Sequence, residues 1–181
     1  ERPDLKVIYQ DPRTSTPGQG LMLWMKSVYG DQAPAAWEQL AKKTVTVTKG
    51  WSEAYGMFLD GEADMVLSYT TSPAYHLIAE NKPQYQAAAF AEGHYRQVEV
   101  AAKLKSAAQD KLADQFLQFM VSPAFQQEIP AGNWMYPVID QPLPKGFEQM
   151  ITVAKPLSFT SDDVAANRKN WIREWLQAVT Q

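Results

Sequence analysis

Val7-Ile8-Tyr9-Gln10-Asp11-Pro12-Arg13-Thr14-Ser15-Thr16-Pro17-Gly18-Gln19-Gly20 is the stretch on which the fold turns. A short apolar run breaks into a turn bearing Pro, Ser/Thr and Gly, and an apolar segment, Leu21 to Tyr29, follows directly. The pattern reads as strand, loop and helix, with the loop hydroxyls gathered at the helix start. From Gly18 onward, Leu21, Met22, Trp24, Met25, Val28 and Tyr29 fall close to a helical period, and Gly30 stops it. The first N–H groups of a helix lack intrahelical partners and sit at the positive end of its dipole. The junction is therefore a candidate anion site built from backbone alone.

Working outward, Pro34 opens a short helix through Trp37, Leu40 and Ala41, with Lys42 and Lys43 at its negative end. Thr44-Val45-Thr46-Val47-Thr48 alternates with period two and is β-branched throughout, which predicts a strand ended by Lys49-Gly50. Ser52 is the expected N-cap of a helix through Ala54, Tyr55, Phe58 and Leu59, closed by Gly61. Asp64 to Tyr69 reads as the next strand. The order β-α-α-β-α-β implies a parallel sheet covered by helices.

The second half is more mixed. Ser72-Pro73 starts a short helix through Tyr75, His76, Ile78 and Ala79, broken at Asn81-Lys82-Pro83. Tyr85 to Phe90 and Tyr95 to Ala102 read as extended, joined near Glu92-Gly93. Lys111 to Val121 reads as a helix with Leu112, Phe116, Phe119 and Met120 on one face, and Ser122-Pro123 caps a second, Ala124 to Glu128. Pro130 to Pro137 reads as a loop carrying Trp134 and Tyr136. Residues 140 to 158 are Pro-rich and predict a surface-wrapping segment. Thr160 with Asp163 resembles a capping box for a last amphipathic helix bearing Val164, Trp171, Trp175 and Val179. The expected division is thus a lobe over 1–139, followed over 140–181 by the wrapping segment and a docking helix.

Composition excludes several classes. The chain has 181 residues, 45% hydrophobic and 20% charged, with a net charge of -3. That balance implies no basic face for nucleic acid or an anionic membrane. Cysteine is absent, so this chain holds no disulfide, thiolate metal site or cysteine nucleophile. No stretch is long and apolar enough to span a bilayer. The sequence opens at Glu1 with neither an initiator Met nor a signal-like segment, the expectation for a processed chain or a piece of a longer one. Six Trp and eight Tyr are many for this length, and several stand beside turn residues.

Each candidate has a functional and a structural reading. Thr14-Ser15-Thr16 either gathers hydroxyls at an anion site or supplies an ordinary N-cap, and no Gly-Lys-Ser/Thr follows to make a P-loop. Trp51, at a strand end, is either a hydrophobic staple or a side chain projecting where open α/β sheets place ligands. Tyr69-Thr70-Thr71-Ser72 repeats the strand-end, hydroxyl and helix-start pattern. Three such junctions, after Tyr9, Val47 and Tyr69, favour a ligand crevice. Trp134 is either a core plug or a stacking wall for a flat ring. Trp24, Trp37, Trp171 and Trp175 lie on helical stripes and are assigned to the core. His76 and His94 lack a carboxylate cluster, and no nucleophile–base–orienter set is present. The residues describe a binder for a ligand with a flat or cationic ring and an anionic tail.

Four segments carry a family resemblance: Val7 to Gly18, Lys49-Gly50-Trp51-Ser52-Glu53-Ala54-Tyr55-Gly56, Leu67 to Tyr75, and Gly132-Asn133-Trp134-Met135-Tyr136-Pro137. Together they resemble the periplasmic thiamine-binding proteins of bacterial ABC importers, over the second part of that family's chain. The resemblance implies an α/β fold, a type II periplasmic-binding-protein lobe with a mostly parallel sheet flanked by helices. It implies thiamine, thiamine phosphate or thiamine diphosphate as cargo, delivery to a membrane permease, a periplasmic location, no cofactor, no metal and no catalysis. By the same resemblance, Ser15 and Thr16 meet the phosphate or hydroxyethyl end and Trp51 is a ligand residue. Tyr69, Thr70, Thr71 and Ser72 supply further contacts, Tyr75 faces the aminopyrimidine, and Trp134 lies near the thiazolium. Release of cargo then requires two lobes to open.

Two alternatives of other classes follow from similar folds. Thiaminase I resembles this fold and degrades thiamine through a cysteine nucleophile, which this chain lacks. Ferric-ion carriers use adjacent Tyr ligands at a strand end, whereas Tyr69 is followed by Thr70.

Overall fold

The structure, a computed structural model, describes Arg2 and residues 4–180; Glu1, Pro3 and Gln181, and with them the reading of the chain start, lie outside the described residues. The chain divides into two compact units. The first comprises residues 1–69, 90–97 and 153–181, and the second residues 70–89 and 98–152. The Pro-rich and C-terminal stretch therefore contributes to both, 140–152 to the second unit and 153 onward to the first.

The first unit is built on a parallel sheet in the order β2-β1-β3, with β1 at Val7–Gln10, β2 at Thr44–Thr48 and β3 at Met65–Val66. Apolar and β-branched residues favour these pleated, half-buried positions. β1 pairs Ile8 with Thr46 and Gln10 with Thr48 on one side, and Ile8 with Val66 on the other. Helices α1 (Thr16–Tyr29), α2 (Ala33–Ala41) and α3 (Trp51–Leu59) connect these strands, as the alternation predicts. The mostly parallel α/β architecture is that expected from the sequence.

The core shows why the Trp-rich stripes exist. Tyr9, Met22, Met25, Trp37 and Trp175 form one buried cluster, completed by α8 (Ser161–Val179), which packs on α1 and α2. Trp37 meets Tyr9 at 5.7 Å and Trp175 edge-on at 6.5 Å between ring centroids. Trp24 is only partly buried, and its indole N–H donates to the Gly93 carbonyl at 2.8 Å. The expected cap of α8 forms: Thr160 Oγ1 accepts from the Asp163 N–H at 3.1 Å and donates to its carboxylate at 2.6 Å.

Gly18 is where α1 meets the sheet. A Cβ there would lie 2.8 Å from the Asp11 carbonyl carbon and closer still to the Gln10 carbonyl oxygen. Only a glycine lets the helix start come this near the end of the central strand.

Four local expectations are corrected. The strand expected over Asp64 to Tyr69 is confined to Met65–Val66: the Leu67 N–H still reaches the Ile8 carbonyl, but the Leu67 carbonyl takes its bond from the Gln10 side chain. The N-cap of α3 is Gly50, in extended conformation, not Ser52. Glu53, at the third helical position, accepts from the Lys49 N–H at 3.2 Å, which fixes the helix start two residues earlier. Within the stretches read as extended, Tyr85 to Phe90 and Tyr95 to Ala102, regular strand is confined to Tyr95. Only β4 (His94–Tyr95) forms, parallel to β5 (Pro156–Leu157) from the Pro-rich stretch. Finally, Ile129–Gly132 is a helical turn, α7, inside the stretch read as loop.

The second unit is helical: α4 (Ser72–Ala79), α5 (Asp110–Met120), α6 (Pro123–Gln126) and α7. Its buried Gln126 side chain donates to the Met120 carbonyl at 2.7 Å and accepts from the Val138 N–H at 2.8 Å, tying the chain after α7 to the end of α5. Leu112, Phe116 and Phe119 share a face of α5, as the spacing predicts, and that face is exposed.

Candidate functional site

Within the first unit, Ser15 is the N-cap of α1 and Thr16 its first residue. The Ser15 side chain makes no capping hydrogen bond, and Pro17 occupies a first-turn position. A cap residue that leaves its hydroxyl uncommitted, above first-turn N–H groups with no intrahelical partner, suits an anionic ligand group. Asp11 and Arg13 shape this loop. Arg13 Nε and Nη2 both donate to the Asp11 carboxylate, the latter at 2.6 Å. The hydrogen bond from Arg13 holds the Asp11 carboxyl below its usual range. The guanidinium also lies 5.4 Å from the centroid of the Trp175 ring.

Thr14 joins this loop to the next one. Its hydroxyl donates to the Lys49 carbonyl at 2.7 Å, placing the start of α1 beside the turn that presents Trp51. Trp51 is the first residue of α3. Its ring stacks on Tyr55 at 4.6 Å, 24° from parallel, and its indole N–H donates to Ser68 Oγ at 2.9 Å. Tyr69 follows Ser68, and its hydroxyl accepts from Gln97 Nε2 at 3.4 Å. Ser15, Thr16, Trp51 and Tyr69 are thus connected through Thr14–Lys49 and Trp51–Ser68, at the carboxyl end of the sheet.

The other candidates belong to the second unit. Thr70 lines a cavity of about 230 Å³ with Pro73, Leu77, Tyr85 and Met150. Thr71 is 3% exposed, and its hydroxyl donates to Met135 Sδ at 3.6 Å. Ser72 begins α4. Tyr75, 39% exposed, meets Trp134 edge-to-face at 5.3 Å and 74°. Trp134 adopts φ +55°, a conformation that costs a bulky residue about 1–3 kcal/mol and concentrates at ligand sites. The preceding Asn133 is held by Glu99 at 3.1 Å.

His76 has a carboxylate partner four residues on, at the helical i,i+4 spacing. Its Nδ1 lies 2.7 Å from Glu80 Oε2, and its fully buried ring sits 4.1 Å from Tyr85 and 5.1 Å from Tyr75. The bond to His76 holds the Glu80 carboxyl below its usual range, with Lys82 adding to the effect. It is a packed support behind Tyr75, and among the described residues no cluster of His, Asp and Glu with metal-binding geometry occurs. Sequence reasoning missed Thr14 as a tie between loops, Tyr55 as the platform under Trp51, and Gly18. Tyr55 had a visible signal, four residues after Trp51 on one helical face.

A parallel sheet with hydroxyls and aromatic rings at its strand ends is the build of an α/β solute-binding lobe. Residues 1–130 match the family described as bacterial extracellular solute-binding protein, and the chain belongs to that family. Among its relatives, thiamine-binding periplasmic proteins of Escherichia coli and Salmonella typhimurium are each 66% identical over 97% of this chain. That of Haemophilus influenzae is 47% identical over the whole of it. The chain spans about half the length of these relatives, 54% in the first two. A solved structure described as a periplasmic thiamin binding protein superposes with a TM-score of 0.96 at 65% identity, over 98% of this chain and 56% of that one. A second, described as an ABC transporter from Clostridium perfringens, shares the fold at a TM-score of 0.58 and 19% identity, over 98% of this chain and 60% of that one.

Proposed function

We propose that this chain is the ligand-binding portion of a periplasmic carrier that takes up thiamine, thiamine phosphate and thiamine diphosphate and delivers them to the permease of an ABC importer. The observation that carries the reading is the likeness, at 65% identity, to a solved periplasmic thiamin binding protein. The thiamine-degrading and ferric-ion alternatives draw no support from the relatives, whose names are those of thiamine-binding proteins. No helix of the described residues is long and apolar enough to cross a membrane.

The roles follow from chemistry. Thiamine joins a permanent thiazolium cation to a flat aminopyrimidine. Trp51, Tyr69, Tyr75 and Trp134 are assigned to these rings, each cation–π contact contributing about 0.5–2 kcal/mol according to its desolvation. Ser15 and Thr16 are assigned to the hydroxyethyl or phosphate end, with Thr70, Thr71 and Ser72 as further polar contacts. Hydroxyls and helix-end N–H groups carry no fixed positive charge, so one site accepts ligands with different phosphate counts. The vitamin is cargo, no cofactor is assigned, and residues 140–181 are proposed to include the segment that docks on the rest of the full-length carrier.

Ser15→Ala in the full-length protein tests the phosphate role. A hydrogen bond to a charged group contributes about 1.5–3 kcal/mol, so phosphorylated thiamine should bind about ten- to a hundredfold more weakly. Bare thiamine should change little. Equal weakening of all three ligands in calorimetric titrations contradicts the assignment.

A further inference from the structure

Gln10 ends β1, the central strand, and is fully buried at 0% exposure. Its Nε2 donates to the Leu67 carbonyl at 3.1 Å, while its buried Oε1 has no hydrogen-bond partner among the described residues. The reversed amide would set Oε1 against the Leu67 carbonyl, acceptor to acceptor, so the orientation is fixed. An unmet buried acceptor destabilises the fold, and an apolar side chain of equal length would fill the space without that cost. Half of this amide therefore works against stability, and its use lies in the other half.

That other half redirects the chain. The β1–β3 ladder pairs Val7 with Met65 and Ile8 with Val66, and the Leu67 N–H reaches the Ile8 carbonyl at 2.9 Å. There the strand ends, and Gln10 takes the Leu67 carbonyl with its side chain. Immediately beyond, Ser68 accepts from the Trp51 indole and Tyr69 from Gln97. Three side chains thus hold three consecutive residues, and the strap they form carries Tyr69 and anchors Trp51.

We propose that Gln10 is a positioning residue of the ligand site: its side-chain amide sets the course of Leu67-Ser68-Tyr69 and, through Ser68, the angle of the Trp51 indole. Gln10 itself touches no ligand. The inference rests on the assignment of Trp51 and Tyr69 to thiamine.

The test is Gln10→Met in the full-length protein. Thiamine affinity, thermal midpoint and ligand-free Trp51 emission are measured, the last as the difference from a matching Trp51→Phe protein. The midpoint should stay close to that of the wild type, because the unmet Oε1 is removed at the same time as the Leu67 carbonyl loses its donor. Affinity should fall about five- to tenfold, the worth of one neutral hydrogen bond, and the Trp51 emission should change. Ser68→Ala should cost a similar factor, and the double variant little more than either alone, because both act on one strap. A lowered midpoint with unchanged affinity overturns the proposal, as do additive losses or a Gln10→Met protein that fails to fold. Should wild-type protein bind no thiamine, the ligand assignment falls by itself, and the ligand-free emission of Gln10→Met still decides the positioning claim.

Discussion

Trp175→Ala lowers the unfolding free energy by about 3–5 kcal/mol, the cost of deleting a large buried aromatic. Trp175 is 2% exposed and sits where the last helix closes the core of the first unit. Its indole N–H donates to the Tyr9 hydroxyl at 3.2 Å, and its ring meets Trp37 edge-on. Alanine removes the packing and leaves the buried Tyr9 hydroxyl without this donor; burial already pushes that hydroxyl's pKa up. Trp175→Phe keeps most of the apolar area and loses only the hydrogen bond, so it should cost about 1–3 kcal/mol. Chemical denaturation of both variants checks the pair. Equal losses would mean that the hydrogen bond, not the packing, sets the effect.

Trp51→Ala weakens thiamine binding by about tenfold or more while shifting the melting temperature little. The loss joins a cation–π contact of about 0.5–2 kcal/mol to the buried face of a flat ring, at about tenfold per 1.4 kcal/mol. Trp51 is only partly buried, and its ring rests on Tyr55 instead of in the core cluster. Trp51→Phe retains an aromatic face but loses the bond to Ser68, so it should fall between wild type and alanine. Calorimetry and a thermal melt on the same preparations separate binding from folding. Affinity within about twofold of wild type for Trp51→Ala would remove this residue from the site.

Much of the first unit was legible because its signals are local. Thr44 to Thr48 could scarcely be anything but a strand, Pro34 marked a helix start, and Thr160 with Asp163 marked another. What failed depends on partners distant in sequence. Asp64 to Tyr69 is a good strand by composition, yet it stops at Val66, where the Gln10 side chain binds the Leu67 carbonyl in place of a strand N–H. Tyr95 finds its strand partner in Leu157, inside a stretch whose prolines read as a wrapping loop. Ser52 looked the better cap than Gly50, but the bond from the Lys49 N–H to Glu53 fixes the start of α3. The residues proposed for the site stand out in the sequence by type and by their place at strand-to-helix junctions. That Thr71 is buried on Met135, and that Tyr75 and Trp134 meet edge-to-face, are facts of tertiary packing with no local signature.

In the proposed carrier, a helix start whose cap side chain makes no capping bond holds the anionic end of a ligand whose cationic ring lies on indole and phenol faces. Calorimetric titration of the full-length protein with thiamine and with thiamine diphosphate, followed by mass analysis of the recovered ligands, tests both halves. Saturable one-to-one binding, with thiamine recovered intact, is the expected result. Absence of binding, or loss of the intact vitamin during the titration, would contradict it.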